Sequence, residues 1–241
     1  LQRGKGIKKK EVSTIGWLSN WQYRKSHIVN SATGAGTNYQ VKITVYKGSG
    51  SSSGGNVYCG GNCRDDFGDI RFTDDDGSTL LDYWIESYVS GTSAVIWVEV
   101  ADSLESSAQT IYIYYGKADA TYPFGADQTQ MDATFLFADH FYGTTLNTDK
   151  WAGDTTFPTV ASSILTMPTG SAKNITSKTL VGIGTALRAK KQMTYPTSNW
   201  GEFGLGLRNA YDCFIILFTS SSGNYFRTGD ADSFVSVSSN F

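Results

Sequence analysis

The sequence predicts an all-β fold: two tandem antiparallel β-sandwiches, jelly-roll-like, with the second incomplete. Three observations predict it. Apolar and polar residues alternate in short runs, as in Tyr39-Gln-Val-Lys-Ile-Thr-Val-Tyr46, where Tyr39, Val41, Ile43 and Val45 share one face and Gln40, Lys42 and Thr44 the other. Aromatics reach 14 %, and 26 glycines stand against 4 prolines with only 17 % charged residues, a balance suited to many strands joined by polar turns. Two alternating runs, Asp69 to Thr73 and Leu80 to Ser87, flank an acidic turn ending at Asp76-Gly77, where glycine accepts the positive φ a hairpin needs.

Residues 1–16 read as a basic arm (Arg3, Lys5, Lys8, Lys9, Lys10), solvated by default but able to touch an anionic surface or a neighbouring subunit. Residues 17–125 form the first sandwich, with strands in Trp21–Val29, Tyr39–Tyr46, the 69–87 hairpin, Ala94–Val100 and Thr110–Tyr115. Lys47–Gly61 is a glycine- and serine-rich loop. Residues 126–134 are a linker. The second sandwich occupies 135–241, with strand-like runs at Phe135–Phe141, Ile164–Met167, Ala186–Met193, Phe203–Arg208, Cys213–Phe218, Asn224–Arg227 and Phe234–Val237. A first residue that is not Met and an end without a stop signal read as a chain processed or cut from something longer.

Composition excludes some partners. A net charge of −2 offers no field for a polyanion, so nucleic acid is not expected. No apolar run is long enough to span a bilayer. The basic arm is not followed by the apolar stretch of a signal peptide. Cys59-Gly-Gly-Asn-Cys63 is too isolated for a tetrahedral zinc site, yet flexible enough for a local disulfide; two free thiols are an equal alternative. Cys213, in an apolar run, reads as a core thiol.

Trp21-Gln-Tyr-Arg-Lys25, Tyr39–Val45, Asp66-Phe-Gly-Asp-Ile-Arg-Phe-Thr-Asp74, Tyr83-Trp-Ile-Glu-Ser87 and Ile111-Tyr-Ile-Tyr-Tyr-Gly-Lys117 together resemble the family known as domain of unknown function 2341, over about residues 17–125. That resemblance implies a secreted, cell-surface or virus-borne protein of archaea or bacteria, built beside other sandwich modules, and it carries no catalytic residues. Residues 135–241 resemble, more loosely, the concanavalin-like lectin/glucanase jelly roll, through Phe137–Trp151 and Gly201–Leu207. This second likeness raises sugar binding as an expectation.

The glycanases of that superfamily set their acids on one strand as Glu-x-Asp-x-x-Glu. Glu202, the only glutamate after Glu105, has no such neighbours, so no catalysis is expected in this stretch. Asp74, Asp75 and Asp76 are a candidate calcium site, against the plainer reading that they solvate and cap a turn. Asp69 is a candidate ion-pair partner of Arg71 or Arg24. Trp200 and Tyr211, in glycine- and asparagine-containing loops, and Tyr112 and Tyr114, opposite Ile111 and Ile113, are candidate sugar-stacking platforms. Trp84 and Trp97 read rather as core. Asn174-Ile-Thr176 is a glycosylation sequon.

The function expected is non-catalytic glycan recognition or adhesion by an extracellular, cell-surface or virion-surface protein, with no cofactor unless calcium. One alternative is a structural subunit of a filament, surface layer or virus particle that self-assembles through strand edges and its basic arm. Another is a fragment of a polysaccharide-active enzyme.

Overall fold

The computed structural model describes residues 16–121, 128–167, 175–180, 186, 188, 201–205, 214–220, 223–230 and 233–238, the last four stretches as backbone. The chain is nearly all β and divides into two compact units, Leu1–Asp139 and His140–Phe241.

In the first unit two antiparallel-rich sheets enclose one core. The smaller has the order β1-β7-β4, with β1 Tyr23–Val29, β7 Gln109–Tyr115 and β4 Arg71–Thr73. The larger has the order β3-β2-β6-β5, with β3 Asn56–Tyr58, β2 Tyr39–Tyr46, β6 Ser93–Val100 and β5 Tyr83–Val89. Alternation decides which side chains go inward. Ile43 and Val45 of β2, Ile96 and Val98 of β6, Ile111 and Ile113 of β7 and Phe72 of β4 meet in that core, all buried. A shift of one residue in any of these strands would turn this set to water, so the pattern fixes the register.

Three expectations need correction. The 69–87 hairpin is only a stub. Thr73 bridges Leu80, and the Leu81 amide donates to the Phe72 carbonyl (3.0 Å), but β4 then belongs to one sheet and β5 to the other. The reason is that Phe72 and Tyr83 approach the same core from opposite sheets, ring centroids 5.2 Å apart. Within the glycine-rich loop, Asn56–Tyr58 adds to β2 as a parallel strand, because Val57 fills the core and Tyr58 stacks on Tyr46 at 4.7 Å.

Residues 128–141 are not a linker followed by a strand. Gln128–Thr134 form helix α1, closed by the Phe135 amide donating to the Met131 carbonyl (2.9 Å), and Phe141 takes a φ of 53° that extended chain does not allow.

In the second unit, β8 (Trp151–Gly153) pairs with β11 (Ile175–Ser177). The β9 (Thr159–Ala161) and β10 (Ile164–Thr166) strands make a two-residue hairpin. Ser162 and Ser163 carry its turn at φ of 50° and 59°, the doubly positive geometry of tight hairpins. The strands β12 (Gly201–Leu205), β13 (Phe214–Ser220), β14 (Gly223–Asp230) and β15 (Ser233–Ser238) form an antiparallel meander. Trp200, Tyr211, Cys213, Asn174 and the basic residues of the arm lie outside the described residues.

Candidate functional site

The inward residues of β1, β7 and β4 leave Arg24, Tyr112 and Tyr114 on the outer face of the smaller sheet, where Arg24 stands opposite Tyr114 in the strand register. The Arg24 guanidinium carbon lies 4.4 Å from the Trp17 ring centroid and 4.5 Å from that of Tyr112. These are favourable cation–π distances. Through one nitrogen it donates to the Tyr114 hydroxyl (2.9 Å) and the Gly16 carbonyl (2.5 Å). No carboxylate among the described residues pairs with it. Trp17 keeps its place by donating from the indole to the Trp21 carbonyl (2.8 Å), yet its ring remains half exposed. Ile28 and Leu80 are also exposed in this unit. The outcome is a face buried at Arg71, Thr73 and Tyr114 but partly open at Trp17, Tyr112 and Ile28, around an arginine with donors to spare.

The platform candidates separate sharply. Tyr112 is half-buried with Arg24 against it. Tyr114 is fully buried: its hydroxyl donates to the Gly77 carbonyl (2.8 Å) and its ring meets Trp17 edge-on at 5.6 Å. The protein itself occupies that ring. Trp84 and Trp97, neighbours across β5 and β6, point out of the larger sheet rather than into the sandwich core, and Phe135 covers both at 6.0 and 5.8 Å. They belong to a second, smaller apolar cluster under α1.

The Asp66–Phe72 motif builds structure. Asp69 is fully buried and pairs with neither Arg71 nor Arg24; its two carboxylate oxygens accept from the backbone amides of Arg64 (3.1 Å) and Gly116 (2.7 Å). A Cβ at Gly116 would lie 2.4 Å from the Tyr23 ring, so only glycine fits there. Arg71 donates to the carbonyls of Gly68 (3.0 Å), Ile70 (2.6 Å) and Thr121 (2.6 Å), and to the Tyr83 hydroxyl (3.2 Å). Phe67 is fully buried at a φ of 56°. Charged groups this enclosed are tolerated because backbone partners satisfy them.

The acidic turn is largely spent on itself. Asp76 accepts from the amides of Ser78 and Thr79 (both 2.8 Å) and the Thr79 hydroxyl (2.6 Å), and these bonds hold its carboxyl down to about 2. Asp74 accepts from the Asp75 amide (2.9 Å), and burial pushes its carboxyl up. Among the described residues no three His, Cys, Asp or Glu side chains converge on a metal position. Cys59 and Cys63 are buried free thiols beside each other.

Sequence reasoning did not single out Trp17, and it named Arg24 only as a candidate ion-pair partner of Asp69. The Trp17 to Trp21 spacing is visible, but Arg24 and Tyr114 stand 90 residues apart, and only the fold joins them.

Residues 66–154 match the family described as Domain of unknown function (DUF2341), well under half of the chain. That span holds β4 to β8 and α1, so it begins at the Asp66–Phe72 motif and runs past the limit of about 125 that the sequence resemblance suggests. No curated protein and no solved structure matches the chain.

Proposed function

We propose that the chain is a non-catalytic recognition module of an extracellular or surface-borne protein, and that its ligand is a glycan bound on the outer face of the smaller sheet. One observation carries the reading: an arginine with no carboxylate partner among the described residues, held against the half-exposed Trp17 and the half-buried Tyr112. A pyranose ring stacks on a flat aromatic surface, while a guanidinium offers a planar fork to a carboxylate or hydroxyl pair. Such a site selects glycans that bear an acidic group.

The test is titration of the full chain with uronic-acid-containing and neutral polysaccharides by calorimetry. The acidic polymer binds the native protein, and Trp17→Ala and Arg24→Ala each weaken that binding by about tenfold or more. Absence of binding at millimolar saccharide, or unchanged affinity in both variants, overturns the assignment.

A second reading, a structural subunit that assembles by strand addition, draws on β1. Its outer edge has no strand partner among the described residues. A cleft of about 230 Å³ lies beside it, lined by His27, Val29, Val41, Ile43, Gly54 and Gly55. Large particles in solution that a proline at Ile28 disperses are its signature.

A further inference from the structure

The Cys59–Cys63 segment is built as a clamp. The Asn62 amide donates to the Cys59 carbonyl (3.1 Å), closing a turn whose central residues, Gly60 and Gly61, hold φ of 61° and 86°. Positive φ at both positions is the tight turn that only residues without a side-chain penalty enter freely. Three further backbone bonds pin it to the end of β2: Cys59 to the Tyr46 carbonyl (2.8 Å), Gly60 to Gly48 (3.0 Å) and Gly61 to Lys47 (2.6 Å). The turn brings the chain back on itself, and both thiols lie buried in the same core cluster.

We propose that Cys59 and Cys63 are a redox pair, a dithiol that a disulfide-bearing oxidant, protein or small molecule, converts to an intramolecular cross-link. One thiol loses its proton and attacks the oxidant, forming a mixed disulfide and releasing the oxidant's first thiol. The second then displaces the oxidant's remaining sulfur. The protein gives up two electrons and two protons, and the oxidant leaves as two thiols. Because the turn is local in sequence, it can close before the sandwich buries it.

The sequence makes the test direct. Trypsin cuts after Lys47 and Arg64, so one peptide, residues 48–64, contains both cysteines, and Cys213 falls in another. The full chain is refolded with excess oxidised glutathione, denatured, alkylated without reductant, digested and weighed. The expected 48–64 peptide carries no alkyl group and is two hydrogens lighter than the reduced form, while the Cys213 peptide is alkylated. A Cys213→Ser chain gives the same 48–64 peptide. Oxidised protein unfolds about 5 °C above reduced protein, as closing a short loop implies. Alkylation of both cysteines in 48–64, a persistent glutathione adduct, or a bridge to Cys213 overturns the proposal.

Discussion

On the outer face of β5 and β6, Trp84 lies beside Trp97 and both rings are met edge-on by Phe135, which follows α1. On the outer face of β1 and β7, Arg24 and Tyr112 are met by Trp17, and that indole stays half exposed. The two faces start from the same kind of residue, aromatics alternating with core aliphatics, and end with opposite availability. The first is closed by chain that follows the sandwich, and the second is closed only in part by the chain that precedes it. Aromatic content therefore does not mark a binding face. What marks it is whether another segment of the same chain has already taken the ring.

The contrast breaks most visibly at Trp84. Trp84→Ala empties the cluster under α1 and is expected to cost about 3 kcal/mol of stability, the range for deleting a buried large aromatic. Chemical denaturation of the purified variant measures it. Trp17→Ala, on the open face, is expected to stay within about 1 kcal/mol of the native protein in the same experiment. Equal losses from the two would mean that the smaller sheet is covered as fully as the larger one, and the open-face argument would fall.

A smaller effect is expected at Tyr114, the ring that the protein encloses on the otherwise open face. Tyr114→Phe leaves the Gly77 carbonyl without its donor and Arg24 without a hydroxyl acceptor, at a cost of about 1–2 kcal/mol. Its influence on glycan affinity should be small beside that of Arg24→Ala, since the ring offers no free face. A Tyr114→Phe chain that loses binding at full stability would instead make the phenol a ligand contact, and calorimetry beside denaturation separates the two.

Which parts were legible follows from distance along the chain. Alternation is a local signal, and it placed β2, β6 and β7 directly, but it did not say which row of β6 and β7 faces inward, and Trp97 read as core although it lies outside the sandwich core. Pairing is not local, so the 69–87 run read as one hairpin although Phe72 and Tyr83 face one core from two sheets. The α1 helix, Gln-Thr-Gln-Met-Asp-Ala-Thr, is too short to show a helical period; its buried Met131 gains meaning only from the sheet beneath it. The Asp69 carboxylate invited an ion-pair reading, and its true partners are backbone amides, which no sequence displays. Trp17 stayed unmarked and Arg24 was assigned to Asp69 because their actual setting comes from Tyr112 and Tyr114, far downstream.

The smallest expected effect tests how the open face is held at its rim. The acidic turn belongs to that rim: the Gly16 amide donates to the Asp76 carbonyl (2.6 Å), and Tyr114 donates to Gly77. Hydrogen bonds from Thr79 and Ser78 hold the Asp76 carboxyl at about 2, below the ordinary aspartate value near 3.9. A depressed folded value means that the contribution is complete above the unfolded value and is lost as pH falls through the folded one, so the window runs from about 4 down to about 2. The group is exposed, and water screens much of the effect. Thermal unfolding of the native chain should decline more steeply across that window than that of Asp76→Asn, which keeps an acceptor oxygen but cannot titrate. Parallel curves for the two proteins would show that the turn gives the rim no charge-dependent support, leaving Trp17 and Arg24 to hold the open face alone.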